Sequence, residues 1–268
     1  DINRVLEDKA VDMVMICTRH NLHADYAIKA LKAGKAVFVE KPPAINRTEL
    51  NTLLDTIKQT GLPFMVGYNR RFSTYAAEIK NKLKGRQGPI IMNYQMNAGY
   101  YPPEHWVHSH EGGGRIIGEG CHIIDLFGYF TGAKCVSVSV NSIDPNNKYY
   151  SFRDNVVATI KYDDGSIATL SYFSLGSKKY PKEFMTVAFD GKLITLNDYM
   201  KLEGYGVDTK KIVNKSPAKG QFEEMIELHK ALTDEKNIYP IPLDEIEQTS
   251  LITFAIDEEA TSIHSSVE

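Results

Sequence analysis

The chain has 268 residues, 43% of them hydrophobic and 24% charged, with a formal net charge of −3. That is a globular composition, large enough for one big core or two smaller ones. No long run of either sign directs it to nucleic acid or to a charged membrane surface. No apolar stretch approaches the roughly 18 residues of a membrane span, and the first residues carry no signal-peptide pattern. Cys17, Cys121 and Cys135 are far apart and form no CxxC pair. They predict neither a disulfide framework nor a metal centre, and they fit a reducing cytoplasm.

In chain order, residues 1–6 read as a helix already under way, starting on Asp1 rather than methionine. We therefore expect a piece of a longer protein. Residues 12–18 form a continuous apolar run, the pattern of a strand covered on both faces. A helix over 24–33 follows, closed by Gly34, and then a second strand over 36–39. Asn46 and Glu49 form a capping box that opens a helix to about Thr60, closed by Gly61. Residues 64–68 are the third strand. This β-α-β-α-β order with short connections predicts a parallel sheet with right-handed crossovers.

Near residues 70–85 the pattern changes. One helix, about 73–84, leads into longer alternating strands. Asp164-Gly165 and Asp190-Gly191 mark hairpin turns. Val156, Ala158 and Ile160 share one face of a strand, and Val157 and Thr159 share the other. Helices return at about 220–232 and 243–264. The predicted fold is α/β plus α+β: a parallel unit followed by a mostly antiparallel open sheet.

Two motifs carry chemistry. Glu40-Lys41-Pro42 ends the second strand, and ligands of open α/β sheets bind at carboxyl strand ends. A glycine-rich stretch, 112–120, runs into Cys121-His122 and reaches Asp125. A lysine and a histidine on separate segments are the equipment of proton transfer.

With the blocks Val11–Thr18, His23-Ala24, Ala30–Lys35, Glu40–Pro42, Gly67–Phe72 and the stretch ending in His122 and Asp125, the sequence resembles the Gfo/Idh/MocA family of glucose–fructose oxidoreductases and inositol dehydrogenases. Thr18-Arg19-His20, Asn97-Ala98-Gly99, His105-Trp106 and Gly114–Glu119 look like the branch found as the second half of bi-domain oxidoreductases.

The resemblance implies a Rossmann unit over 1–72 and a substrate and oligomerisation domain over 73–268. The family opens with strand–GxGxxG–helix, which is not found here, and Gly112-Gly113-Gly114 follows no apolar strand. The comparison therefore predicts that the first half of the cofactor domain is absent. NAD or NADP would then bind weakly or not at all, and the chain alone would be inactive.

By the same resemblance Lys41 lies between nicotinamide and substrate, often followed by a cis proline bond, and His122 is the second catalytic group. The family carries aspartate four residues before that histidine, where this chain has Gly118. Glu119 either replaces that carboxylate or lines the substrate pocket. Thr18, His20, His23, Glu40, Lys41 and Pro42 are the cofactor-side residues; His23 also reads as a helix-start hydrogen-bonding residue. Arg70 and Arg71 pair with a carboxylate or phosphate, or form a structural salt bridge.

Tyr94, Asn97, His105, Trp106, Arg115 and Asp125 are the substrate-side residues. Trp106 is either lining or packing, and Asp125 either orients a neighbour or caps locally. Lys178, Lys179 and Lys182 either meet an anion or lie on a solvated loop.

The function implied is hydride transfer between NAD(P) and a sugar-like alcohol or nucleotide sugar. An NAD-dependent glycosidase and a non-catalytic ligand sensor are the alternatives. A homo-oligomer through the second sheet is expected, because family members pair there and residues such as Val157 make that face apolar.

Overall fold

The computed structural model describes residues 2–145, 149–233 and 239–265. A short helix α1 (Ile2–Glu7) precedes strand β1 (Met13–Ile16), helix α2 (His23–Lys32), strand β2 (Ala36–Val39), helix α3 (Arg47–Thr60) and strand β3 (Phe64–Val66). The three strands form a parallel sheet in the order β1-β2-β3. All four residues of β2 are buried: Val37 and Val39 pack in the core to which α2 and α3 supply apolar stripes, and Phe38 packs on the other face with Met65 and Leu228. The predicted Asn46 cap forms, with its return bond shifted by one residue: Asn46 Oδ1 accepts from the Glu49 amide at 2.9 Å, and the Glu49 carboxylate accepts from the amide of Ile45, just before the cap, at 3.1 Å. Gly61 closes α3 at a φ of 63°, a conformation in which other residues would be strained.

Helix α4 (Thr74–Leu83), capped by Ser73, then leads into the second sheet. Its strands are β4 (Ile91–Asn97), β5 (Cys135–Ser142), β6 (Val156–Tyr162), β7 (Ile167–Phe173), β8 (Glu183–Phe189), β9 (Lys192–Asn197) and β10 (Lys201–Tyr205). Their order is β10-β9-β8-β4-β7-β6-β5. Every neighbouring pair is antiparallel except β4 with β7. One face packs on α4 and on α5 (Cys121–Thr131). The other carries Asn93, Gln95, Thr159 and Thr169 together with Ile91 and Val157, which are 53% and 46% exposed. Both predicted hairpin turns are present, with Gly165 at φ 85° and Asp190-Gly191 at 45° and 70°.

Helix α6 (Gln221–Thr233) and helix α7 (Leu243–Ser265) complete the order. Ile246 and Phe254 of α7 pack in the core of the parallel sheet, while Ile252, Ile256 and Ala260 pack in that of the second sheet. The residues beyond 73 therefore serve both cores. Among the described residues no helix is long and apolar enough to cross a membrane.

Candidate functional site

The carboxyl ends of the parallel strands meet the start of α5. There a cavity of about 200 Å³ is lined by Lys41, His20, Trp106, Gly118, Glu119 and His122, with Arg70, Tyr101, Val107, Gly114 and Arg115 completing the wall. The segment Ile116–Gly120 is a single π-helical turn running directly into α5. Such turns concentrate at functional sites because the extra residue re-aims the backbone.

Lys41 follows β2 and is joined to Pro42 by a cis peptide bond. Its Nζ donates to the carbonyl oxygen of Gly118 at 2.6 Å. The lysine thus meets main chain where the resemblance would place a carboxylate. A Cβ on Gly118 would lie 2.6 Å from Cε1 of His20, so that imidazole fills the space of the missing side chain. His20 is 8% exposed, and its Nδ1 lies 2.8 Å from the Gly112 carbonyl oxygen. A carbonyl only accepts, so Nδ1 carries the proton. The Trp106 ring stands edge-on at 4.9 Å, itself covered by the Arg19 guanidinium at 4.1 Å. Burial outweighs the Gly112 hydrogen bond, and with Lys41, His23 and Arg19 nearby it takes the His20 pKa down to about 4.

His122 is 6% exposed, and among the described residues its Nδ1 has no hydrogen-bond partner. Burial, followed by Arg70, Lys41, Lys219 and Lys182, pushes its pKa well below the ordinary 6.5. Burial first, and then these four cations, favour the neutral form of the ring.

Glu119 lines the cavity but is fully committed. Its oxygens take Lys182 Nζ at 2.6 Å, Tyr172 Oη at 2.5 Å and Arg115 Nη2 at 3.1 Å. Burial would raise its pKa, yet Lys182, Tyr172 and Arg115 together bring it to about 2. No hydrogen bond joins it to Lys41 or His122 among the described residues. Arg115 is likewise tied, to the carbonyls of Gly99 at 2.6 Å and Ala98 at 3.1 Å.

The remaining cofactor-side residues frame the cavity without lining it. The His23 ring lies between the Pro42 carbonyl at 2.8 Å and the Thr18 carbonyl at 3.1 Å, tying the loop after β1 to the turn after β2. The Thr18 hydroxyl donates to the Arg19 carbonyl at 3.2 Å. The Glu40 amide donates to Ile16 at 2.9 Å, and its carboxylate abuts Gly67 at the end of β3.

Four of the expected substrate-side residues lie outside this cavity. Tyr94 is 1% exposed and points into the core of the second sheet, where its hydroxyl donates to Glu183. Asp125 is fully buried and takes Arg71 Nη2 at 2.5 Å and Nε at 2.9 Å, out of reach of the cavity. Asn97 belongs to a different cleft, beside Lys178, Lys179 and Lys182, and donates to the Ser177 carbonyl at 2.8 Å. His105 stacks on Tyr101 at 4.5 Å without lining the cavity. Arg70 and Arg71 both form buried structural pairs, Arg70 with Glu183 at 2.8 and 2.9 Å. Sequence reasoning missed Tyr101, Val107 and Gly114; the doublet Tyr100-Tyr101 beside the glycine-rich stretch was the available signal.

A parallel unit whose strand-end lysine meets a histidine presented by a helix of an open antiparallel unit is a two-part α/β architecture. Residues 1–68 match the family described as "Oxidoreductase family, NAD-binding Rossmann fold", and residues 84–193 match its "GFO/IDH/MocA C-terminal domain". The chain belongs to the Gfo/Idh/MocA family. The match over 1–68 also corrects the expectation of an absent cofactor-domain half: these residues match the NAD-binding Rossmann-fold family model.

Over 172 residues the chain is 34% identical to a scyllo-inositol 2-dehydrogenase (NAD(+)) of Bacillus subtilis, covering 62% of this chain and 49% of that protein. Over 202 residues it is 26% identical to a D-glucoside 3-dehydrogenase of Escherichia coli, covering 67% and 56%. The chain thus spans about half the length of the relatives it matches. Among solved structures, an oxidoreductase domain protein from Kribbella flavida superposes with a TM-score of 0.81 at 20% identity, covering 98% of this chain and 81% of that one. A UDP-N-acetylglucosamine 3-dehydrogenase from Acidithiobacillus ferrooxidans gives 0.78 at 17%, covering 97% and 82%. These two likenesses concern the fold.

Proposed function

We propose that this chain forms the reactive site of an NAD-dependent oxidoreductase that oxidises a secondary alcohol of a sugar-like polyol. The observation carrying this reading is the convergence of Lys41, His122, His20 and Trp106 on one cavity at the carboxyl ends of the parallel strands. The fit to nicotinamide rests on that cavity's flat Trp106 and His20 walls and on the buried, unpartnered His122 Nδ1. When bound, the nicotinamide supplies the hydride acceptor. Lys41 Nζ, positioned by the Gly118 carbonyl, passes the proton to or from the substrate hydroxyl oxygen. His122 stays uncharged and orients that hydroxyl. His20, with its proton fixed on Nδ1, presents Nε2 as an acceptor.

The polyol reading is supported by the named inositol and glucoside dehydrogenases among the relatives. We further infer that two copies pair through the uncovered face of the second sheet, where Ile91 and Val157 stand exposed.

The test is nicotinamide absorbance during incubation with NAD or NADP and a panel of inositols, aldoses and glycosides. Alcohol-dependent reduction of the cofactor is the expected result. Sugar release without net reduction, or no reaction across the panel, would overturn the reading.

A further inference from the structure

A second cavity, of about 370 Å³, opens beside the reactive one and shares Tyr101 and Gly114 with it. Gly114 stands at the junction with a φ of 102°, and a Cβ there would come within 3.0 Å of Arg153 Nη2. Only glycine leaves this neck open without strain. Tyrosines form one wall: the rings of Tyr100 and Tyr149 lie parallel with centroids 4.2 Å apart, and Tyr150 meets Tyr100 edge-on at 6.1 Å.

Asp154 forms the polar end. It is 3% exposed, its Oδ2 lies 3.6 Å from His108 Nε2, and its Oδ1 has no hydrogen-bond partner among the described residues. A buried carboxylate oxygen without a donor is costly, and a ligand hydroxyl removes that cost. The charge balance narrows the ligand. Arg153 donates to Asp257 at 2.7 and 3.2 Å and to the Gly113 carbonyl at 3.2 Å, so its charge is already matched. Among the described lining residues no other arginine or lysine is available for a phosphate. Aromatic faces with a hydroxyl-accepting carboxylate, and no spare cation among the described lining residues, suit an uncharged pyranose.

We propose that this cavity is a subsite for an uncharged sugar ring, so that the substrate is a glycoside whose reacting ring lies against Lys41 and whose neighbouring ring lies between the tyrosines and Asp154. The assignment of the reacting ring rests on the function proposed above; the subsite itself does not.

Calorimetric titration of the whole chain without cofactor separates the two. The probes are D-glucose, myo-inositol, maltose, cellobiose, trehalose, galactinol and UDP. At least one disaccharide is expected to bind roughly tenfold more tightly than its constituent rings. That gain should disappear in Asp154→Asn and in Tyr149→Ala, the latter a half-exposed position where folding is not at risk. A panel without any such gain, a gain that survives both variants, or UDP binding that is lost with Tyr149→Ala would each overturn the proposal. Absence of cofactor reduction alongside a Tyr149-dependent disaccharide gain would sink the oxidoreductase reading and leave the subsite standing.

Discussion

Gly118 and His20 compete for one volume. The imidazole stands where a side chain at position 118 would point, and any Cβ there meets Cε1 at 2.6 Å. Gly118→Asp should therefore destabilise the chain, by about 1–3 kcal/mol of overpacking. The same substitution in a His20→Ala background should cost far less. Thermal or urea unfolding of the four members of this cycle gives the coupling directly. Equal losses in both backgrounds would show that the two side chains do not exclude one another.

Lys41→Met keeps the length of the side chain and removes the proton. On the proposed function it should lower turnover by about 10²–10⁴-fold, the usual range for a lost acid–base group. The midpoint of unfolding should stay close to that of the parent chain, since only the bond to the Gly118 carbonyl is lost. Turnover within twofold of the parent would exclude Lys41 from proton transfer.

Asp125 illustrates how far the site was legible. It lies one turn beyond His122, a spacing that left it orienting a neighbour or capping locally, and only the resemblance put it on the substrate side. The structure gives it instead to Arg71, from the segment after β3, and that pairing has no sequence signature. Tyr94 was misplaced for a related reason. Alternation along β4 shows that residues 92, 94 and 96 share a face, but not which face is covered by helices. The elements fared better. Strand β2, the Asn46–Glu49 cap and the Asp164-Gly165 turn are set by local pattern and local hydrogen bonds, so they are readable residue by residue. Lys41 was legible as a cavity residue because strand-end position and motif coincide, and His122 through the glycine-rich motif that leads into it. The His20–Gly118 contact was not, because it depends on the packing of two loops from different units.

Asp125→Asn should accordingly act on stability. Removing one charge of a buried pair leaves Arg71 with Glu245 at 2.7 Å as its remaining carboxylate partner, at an expected cost of about 3–5 kcal/mol. Urea denaturation reads this out. A large rise in substrate KM with unchanged stability would return Asp125 to the substrate site.

Glu224 gives a pH dependence with a defined sign. It is 2% exposed, its Oε1 has no partner among the described residues, and burial, then Glu40 and Asp125, raise its pKa from 4.5 to about 8. Between those values the folded chain holds more proton than the unfolded one. This group's contribution therefore lowers stability as pH rises from 4.5 to 8. Glu224→Gln should remove that fall and gain roughly 2 kcal/mol or more over the parent at pH 8, with little difference at pH 4.5. Parallel stability–pH curves for the two proteins would refute the shift.

Val157→Glu tests the inferred pairing. A charge on the uncovered face should convert the assembled species to monomer in light scattering at matched concentration, while the monomer keeps its fold because the position is 46% exposed. Identical masses for parent and variant would place the contact elsewhere.

Helix α7 sets how the molecule can move. Ile246 and Phe254 are anchored in one core, and Ile252, Ile256 and Ala260 in the other. A hinge between the two units would have to tear one set of these side chains from its packing. The helix acts as a rivet, and breathing of the cavity beside Lys41 falls instead to the loops carrying Tyr101 and Trp106. On the proposed function, substrate entry is thus a matter of local loop displacement over a stiff frame, on a faster timescale than domain closure.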